Sequence, residues 1–275
     1  RIKVERYVNS ELASNAEDLL ALISSGAVQG GRDADMSLSW VAPEWISYTS
    51  VPFCFRDKAH MSKFFNSDVA KAMNEKLIKE HGYRYLDNAI GMRGARMLTA
   101  NKKITGPEGM KGVKFRVPNV IGTVASWEAM GAKVIGVPLS ELFTSLQNGL
   151  VDAQENPYAQ IEANGFYQVQ KYIMETKHQY NAMYTYINEA FYQSLPADLR
   201  QVLLDANKKS FDYFNEKTDA DDERIKKVCT DAGVTIVPEN EINIEAFKKL
   251  IQEKVLNSDV SKNWAKDGWN YIQSL

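Results

Sequence analysis

The chain has 275 residues, of which 44% are hydrophobic and 25% are charged, as is ordinary for a globular protein with one large domain or two lobes. A formal net charge of −2 and the lack of a dense basic cluster argue against nucleic-acid binding. No apolar run in the sequence is long enough to cross a bilayer. Arg1-Ile2-Lys3-Val4 predicts a strand rather than a signal peptide, so we expect either a cytoplasmic chain or a mature, processed one.

Cysteine and histidine usage predicts neither a metal site nor a bound cofactor. Cys54 and Cys229 form no C-x-x-C pair, and the three histidines, His60, His81 and His178, are dispersed along the chain. None of these spacings matches a zinc motif. The sequence also contains no phosphate-binding loop and no nucleophile with a histidine in a known catalytic pattern, so we expect a protein that is not an enzyme.

The first hundred residues predict short strands that alternate with capped helices. Asn15, Asp57 and Ser67 each precede a helical stretch and carry side chains of the kind that cap a helix N-terminus. Alternating and apolar runs predict strands, at residues 1–8, 27–31, 51–55 and, as one strand or a pair, within 83–98. The remaining segments predict a polar loop at residues 32–35 and an irregular, aromatic segment at residues 40–50.

Residues 113–154 predict a β-α-β-α-β unit, which implies a parallel sheet with right-handed crossovers. Its strands and helices are predicted at 113–117, 121–130, 133–137, 140–148 and 151–154. From Pro196 to about Ala232 the pattern is helical without an internal glycine or proline, which is typical of a helix that spans two lobes. The remaining segments predict two strands and two helices, at 181–187, 234–237, 244–255 and 260–272.

Arg116 lies at the carboxyl end of a predicted strand, because Pro118 ends the hydrogen bonding of that strand. In open α/β sheets, ligands bind at the carboxyl ends of the strands. A guanidinium group there offers a planar fork of donors that suits a carboxylate. From this residue alone, two alternatives stay open: an arginine that reaches solvent, and an arginine that pairs with a structural carboxylate.

Three different blocks of the sequence are informative through their order and their spacing. They are Lys111-Gly112-Val113-Lys114-Phe115-Arg116-Val117-Pro118-Asn119, Pro138-Leu139-Ser140-Glu141-Leu142-Phe143-Thr144-Ser145-Leu146-Gln147 and Val151-Asp152-Ala153-Gln154-Glu155-Asn156-Pro157. Together they resemble the extracytoplasmic solute receptors of TRAP transporters, the DctP-like family. The resemblance continues through residues 166–171 and 195–200 and covers nearly the whole chain. The family's opening strand and helix have no counterpart before Arg1 in this sequence.

The resemblance implies an α/β fold of the periplasmic-binding-protein type, with two lobes, mixed and mostly parallel sheets, and a long helix between the lobes. We place lobe I at residues 1–92 and 182–221, without its opening elements, and lobe II at residues 93–181 and 222–275. The resemblance further implies a periplasmic receptor that captures a small organic acid between the lobes. The receptor would deliver this acid to the membrane subunits of a TRAP permease, and we expect it to be a monomer.

The resemblance also assigns ligand contacts to particular residues. Arg116 matches the arginine that clamps the ligand carboxylate, Arg96 a second arginine that assists it, and Asn156 an asparagine that contacts the ligand. Leu139 matches a residue that packs on the ligand, and Asn15 matches a polar contact from the first lobe. For Arg96 the alternative is a pair with a neighbouring carboxylate, and for Asn156 it is simple capping of the helix that follows.

Trp40, in the aromatic segment, is a further candidate, because its ring could line the cleft, although a place in the core explains it equally well. Glu155 is expected to be structural, since it would repel a ligand carboxylate. The paired arginines imply an acid, and Asn15 and Asn156 indicate hydroxyl groups, so we favour a sugar acid over a C4 dicarboxylate or a sialic-acid-like compound. Two other functions stay open: a receptor that signals to a membrane kinase and, less favoured, an enzyme that uses the same cleft.

Overall fold

The computed structural model describes residues 2–8, 11–13, 15–262 and 266–275, and for eight of these it describes the backbone alone: Trp40, Glu44, Trp45, Ile46, Asp219, Val260, Lys266 and Asp267. The described chain folds into two β-sheets flanked by helices. The strands are Gly30–Ala34 (β1), Tyr83–Tyr85 (β2), Gly91–Met92 (β3), Arg96–Ala100 (β4), Lys114–Val117 (β5), Lys133–Gly136 (β6), Ala153–Pro157 (β7), Tyr172–Gln179 (β8), Ala182–Asn188 (β9) and Thr235–Val237 (β10). The α-helices are Ala16–Ser24 (α1), Pro43–Thr49 (α2), Lys58–Phe65 (α3), Asp68–His81 (α4), Ile121–Ala129 (α5), Leu139–Gln147 (α6), Tyr158–Ala163 (α7), Glu189–Ser194 (α8), Ala197–Asp231 (α9), Ile244–Ile251 (α10) and Lys266–Ser274 (α11).

The larger sheet has six strands in the order β10-β8-β4-β7-β5-β6. They run parallel to one another except for β4, which is antiparallel to both of its neighbours. In the smaller sheet β9 lies between β1 and β2 and also pairs with β3, and each of these pairings is antiparallel. The α/β class is therefore confirmed, as is the parallel β-α-β-α-β unit that contains β5, β6 and β7.

Local sequence signals set the starts of three helices in the first third of the chain. The side chain of Asn15 accepts a hydrogen bond over 2.9 Å from a backbone N–H in the first turn of α1. Asp57 caps α3 in the same way over 2.7 Å, and Ser67 caps α4 over 3.5 Å. At the other end of α4, Gly82 has a φ of 69°, which glycine adopts without steric cost. The sequence therefore predicted these helices correctly.

Two predicted strands are wrong, because alternation by itself does not supply a partner strand. Residues 2–8 have no regular secondary structure. Residues 51–55 form turns and bends, since Pro52 has no N–H to donate and Phe53 has a φ of 65°, outside the range of a strand. The backbone N–H of Phe53 instead donates to the carbonyl oxygen of His178 over 2.5 Å.

Secondary structure also occurs where the sequence gives no sign of it. The helix α2 lies within the segment predicted to be irregular, and β1 includes most of the segment predicted to be a polar loop. The strand β8 carries Glu175, Lys177 and His178, which break any alternation of apolar and polar residues. It forms because β4 and β10 pair with it on its two sides. These elements depend on neighbours that are distant in the sequence.

Three connections join the two sheets. The chain passes from β3 to β4 at residues 93–95 and returns from β8 to β9 at residues 180–181, and these crossovers lie side by side because Arg93 N donates to Asn181 O over 3.2 Å. The third connection is α9, which has 35 residues and contacts β3 as well as α7, so the predicted long helix is confirmed. Neither α9 nor any other helix in the described part of the chain is both long and apolar enough to cross a membrane.

The strands of each sheet come from the residues assigned to one lobe. All strands of the smaller sheet fall in lobe I, and all strands of the larger sheet fall in lobe II. The last helix, α11, was assigned to lobe II, but Gln273 Nε2 on this helix donates to Cys54 O of lobe I over 3.2 Å. The boundaries of the lobes therefore stay a prediction.

Replacing Asn74, on α4, by alanine is expected to lower the free energy of unfolding by about 2–4 kcal/mol. Asn74 is buried and bonds to both backbone groups of Tyr85: Nδ2 donates to Tyr85 O over 2.9 Å, and Oδ1 accepts from Tyr85 N over 3.0 Å. Alanine leaves both groups unpaired in the interior. Urea unfolding measures the loss. Asn66→Ala is the control, because the side chain of Asn66 is exposed and, among the described residues, bonds to Ser62 alone. An equal loss in both variants would contradict this account.

Candidate functional site

The parallel strands of the larger sheet end on one side, next to the crossovers to the smaller sheet. Arg116 of β5, Asn156 of β7 and Gln179 of β8 lie at or near these strand ends, and Arg96 begins the antiparallel strand β4 there. Each of these four residues is at most 6% exposed. We call this group of four the strand-end site. Polar side chains at the carboxyl ends of parallel strands are the usual arrangement of a ligand site in an α/β sheet.

Arg116 is a buried positive charge without a counter-ion among the described residues. Its Nε donates to Val137 O over 2.9 Å, and its guanidinium group makes no other hydrogen bond or ion pair within the described part of the chain. Burial lowers the pKa of Arg116 to about 10, although the charge of Glu155 raises it. The group is therefore still charged at neutral pH. Because an unpaired buried charge is costly, this arrangement suits a site that receives an anion.

Arg96 is buried beside a carboxylate, which is the alternative that the sequence left open for it. Its Nε and Nη2 donate to the two carboxylate oxygens of Glu155, with 2.8 Å between Nη2 and Oε1. Nη2 also donates to Asn156 Oδ1 over 3.1 Å. Nη1 of Arg96 bonds to none of the described residues, so this group keeps donors for a ligand while its charge is balanced by Glu155.

Glu155 is fully buried, and a histidine holds it together with Arg96. His178 Nε2 lies 3.2 Å from Glu155 Oε2, and His178 Nδ1 lies 2.7 Å from Thr176 Oγ1. Burial by itself would raise the pKa of Glu155, but the charge of Arg96 and the hydrogen bonds from His178 and Arg96 outweigh it and lower this pKa to about 2. Burial lowers the pKa of His178, against the opposing effect of Glu155. At neutral pH the pair is therefore a carboxylate and a neutral imidazole.

Asn156 is aligned by its neighbours and does not cap the helix that follows. Its Nδ2 donates to Gln154 Oε1 over 2.6 Å, while its Oδ1 accepts from Arg96. The helix α7 begins after Pro157 and has no side-chain cap, so the capping alternative for Asn156 is wrong. The amide of Asn156 is thus fixed in the middle of the strand-end site.

The other predicted contacts lie in different places. Leu139 begins α6 and is 38% exposed, two residues after Val137, whose carbonyl oxygen accepts from Arg116, so the structure brings it close to the site. Asn15 caps α1, which packs on β1 and β9 of the smaller sheet. The side chain of Trp40 lies outside the described residues. The six ligand contacts named from the sequence, which are Arg116, Arg96, Asn156, Leu139, Asn15 and Trp40, all stay predictions.

The structure places further buried or partly buried polar residues near the crossovers. Asp35, which follows β1, is 1% exposed and accepts from Asn181 Nδ2 over 3.1 Å. Burial raises the pKa of Asp35 to about 7. Arg93 is partly buried in the adjoining crossover, where burial lowers its pKa to about 10. Polar residues that directly flank apolar strands in the sequence could indicate buried polar residues of this kind. Only the order of the strands shows which of these residues lie next to one another in the fold.

Replacing Glu155 by glutamine is expected to lower the free energy of unfolding at pH 7 by about 3–5 kcal/mol, because Arg96 is then buried without its counter-ion. The response to acid should change as well. The pKa of about 2 in the folded state lies below the ordinary value of about 4.3, so the carboxylate stabilises the fold above about pH 4.5, and this contribution is lost as the pH falls toward 2.

Urea unfolding between pH 2.5 and pH 7 measures both effects, and the profile of E155Q should be flatter than that of the wild type below about pH 4.5. Glu162→Gln is the matched control. Glu162 pairs with the more exposed Arg224, so its loss should change stability by less than about 1 kcal/mol. A Glu155→Gln variant as stable as the control would show that the Arg96 pair is not needed by the fold.

Comparison with known proteins identifies the family to which the chain belongs. Residues 1–260 match the model of the family described as DctP, bacterial extracellular solute-binding protein, family 7. The 2,3-diketo-L-gulonate-binding periplasmic protein of Escherichia coli strain K12 is 26% identical over 255 residues, which cover 92% of this chain and 76% of that protein.

Two crystal structures of similar proteins contain bound acids. A TRAP periplasmic solute-binding protein from Roseobacter denitrificans with L-galactonate is 28% identical, with a TM-score of 0.85 over 97% of this chain and 84% of that chain. One from Xanthobacter autotrophicus with β-D-galacturonate is 25% identical, with a TM-score of 0.84 over 100% of this chain and 89% of that chain. TRAP solute-binding proteins bind small carboxylates and work with membrane permeases. The two-lobed α/β fold and the match over most of the sequence show that this chain belongs to the DctP family of bacterial extracellular solute-binding proteins.

Proposed function

We propose that this protein is a periplasmic receptor that binds a small organic acid, with a sugar acid favoured, between its lobes and delivers it to a TRAP-type transporter. The observation that carries the proposal is Arg116, a guanidinium group that is 6% exposed and has no counter-ion among the described residues. Membership of the solute-binding family supports the receptor class. A charge in this setting is useful to a protein that must bind an anion tightly and release it unchanged.

In the proposed complex the ligand carboxylate binds the free donors of Arg116. Nη1 of Arg96 and the amide of Asn156 lie at the same end of the larger sheet and would complete the contacts. Each hydrogen bond from a charged guanidinium group contributes about 1.5–3 kcal/mol. Because Glu155 balances one of the two arginines, the site has one excess positive charge, which matches a single carboxylate.

Closure of the lobes is coupled to the ligand through the cost of burying Arg116. Without an anion, closure buries an uncompensated charge, so the free receptor favours an open cleft; a bound carboxylate shifts the population toward the closed form. The hydrogen bond from Phe53 N to His178 O supports this coupling, because it connects the two sides of the cleft. His178 in turn contacts Glu155, the partner of Arg96.

The choice of a sugar acid is supported by the ligands of the similar proteins. The Escherichia coli relative is named for 2,3-diketo-L-gulonate, and the two crystal structures contain L-galactonate and β-D-galacturonate. Each of these compounds is a carboxylate with several hydroxyl or keto oxygens. They support a sugar acid as the ligand of this chain, while relatives named for C4-dicarboxylates and for sialic acid, 29% and 28% identical, keep those two classes as the alternatives.

Replacing Arg116 by lysine is expected to weaken acid binding at least tenfold, because a point charge replaces a planar fork of donors. Isothermal titration calorimetry with L-galactonate and β-D-galacturonate measures the change. The melting temperature of the free variant should equal or exceed that of the wild type, since a lysine can lose its proton when buried. Arg224→Lys is the control, because Arg224 pairs with Glu162 at the surface. Unchanged affinity in R116K would mean that Arg116 does not hold the carboxylate.

A thermal-shift screen over organic acids, followed by analysis of each acid after incubation, separates the candidate functions. We expect sugar acids to stabilise the protein, by about 2.7 kcal/mol at a concentration of 100 Kd, and to be recovered unchanged. Conversion of the acid would support the enzyme. Stabilisation by C4 dicarboxylates alone would reject the sugar acid. A receptor that signals to a membrane kinase would bind its ligand in the same cleft, so the screen does not separate it from a transport receptor. Binding of the ligand-bound protein to the sensor domain of a kinase tests this alternative.

A further inference from the structure

Gln179 is a buried amide that the fold leaves without hydrogen bonds. Only 3% of the residue is exposed, and neither Oε1 nor Nε2 has a partner among the described residues. Buried polar groups of this kind are few in native proteins, because each one loses its hydrogen bonds to water and gains none in return. An apolar side chain of the same size would fill this position without that loss. Packing by itself therefore does not explain why this position carries an amide.

Gln179 lies beside the groups that would bind a ligand carboxylate. Gln179 is the last residue of β8 and lies opposite Arg96, the first residue of β4. Residues directly opposite each other in an antiparallel pair project to the same face of the sheet. The amide of Gln179 and the guanidinium group of Arg96 thus share one face at the strand-end site.

A bulge in β8 sets this position. Leu98 of β4 pairs with Met174, yet Arg96, two residues earlier in β4, pairs with Gln179, five residues later in β8. The extra residues of β8 therefore loop out between these two pairs. Bulges are frequent beside functional sites, where they turn a side chain to a direction that regular alternation would not give. Here the bulge brings His178 to Glu155 and Gln179 to Arg96.

Asn181 supplies a second buried acceptor on the crossover that follows β8. It is 1% exposed, and its Nδ2 donates to Asp35 Oδ1 over 3.1 Å. This bond fixes the orientation of the amide, and Oδ1 of Asn181 has no partner among the described residues. An unpaired amide group, that of Gln179, and an unpaired amide oxygen, that of Asn181, thus lie two residues apart in the chain, next to the charged site.

We propose that Gln179, together with Asn181, forms a neutral subsite for a hydroxyl or carbonyl oxygen next to the carboxylate of the ligand. This inference rests on the proposed function, because it needs a carboxylate at Arg116 and Arg96. An amide donates and accepts hydrogen bonds without adding charge, which suits an uncharged oxygen substituent. Acids that carry such an oxygen at C2 fit the subsite, whereas an acid without it leaves the buried amide unpaired. Sites built on buried polar partners discriminate strongly against ligands that lack the matching group.

The test compares L-galactonate with its 2-deoxy analogue in the wild type and in Gln179→Met, which keeps the size of the side chain and removes the amide. In the wild type we expect L-galactonate to bind at least tenfold more tightly than the 2-deoxy analogue by isothermal titration calorimetry. In Q179M the two Kd values should lie within about threefold of each other. This ratio is measured within one protein, so a loss of stability in the variant affects both ligands alike.

Gln168→Met is the control, because Gln168 is an exposed glutamine of the same lobe, and it should keep the wild-type ratio. If Q179M keeps the wild-type ratio of the two Kd values, the subsite is overturned and the receptor function is not affected. The same holds if Q179M weakens the binding of both ligands equally. A wild-type protein that binds no acid in the screen would overturn the proposed function, and the subsite with it.

Discussion

The balance of charge at the strand-end site governs the structure around it. Two guanidinium groups, those of Arg96 and Arg116, are buried there, and the carboxylate of Glu155 is buried with them. Glu155 pairs with Arg96, and Arg116 has no counter-ion among the described residues, so one positive charge of this group is uncompensated there. A protein tolerates such a charge where an anion is to be bound, because a carboxylate in the same place removes most of the cost. Under the proposed function, stability and binding are therefore linked through the same few atoms.

The topology of the larger sheet is what brings these groups together. The strands β5, β7 and β8 end on the same side because they run parallel, and β4 begins there because it alone among the described strands of this sheet runs the other way. Arg96 thereby reaches Glu155 on one neighbouring strand while it lies opposite Gln179 on the other. The crossovers to the smaller sheet leave from this same side, so a ligand held here would lie next to the connections between the two sheets.

Several polar side chains in this region reduce the stability that the fold could otherwise reach. Arg116 lacks a counter-ion, and Gln179 and Asn181 carry buried amide atoms without partners in the described chain. Apolar residues at the positions of Arg116 and Gln179 would be more favourable for folding alone, whereas Asn181 also serves as the hydrogen-bond partner of the buried Asp35. Deviations of this kind from good packing are expected at functional sites, where the interactions are completed by a ligand and not by the protein.

The sequence by itself determined the local elements and the family. Capping side chains such as Asn15 and Asp57 act on the next turn of the chain, so their helices could be predicted, and Arg116 could be placed at a strand end because Pro118 ends the strand. Only the tertiary structure decided that residues 2–8 form no strand, that β8 lies between β4 and β10, and that Arg96 pairs with a carboxylate. These features depend on contacts between strands that are far apart in the sequence, and short-range patterns do not contain the order or register of strands.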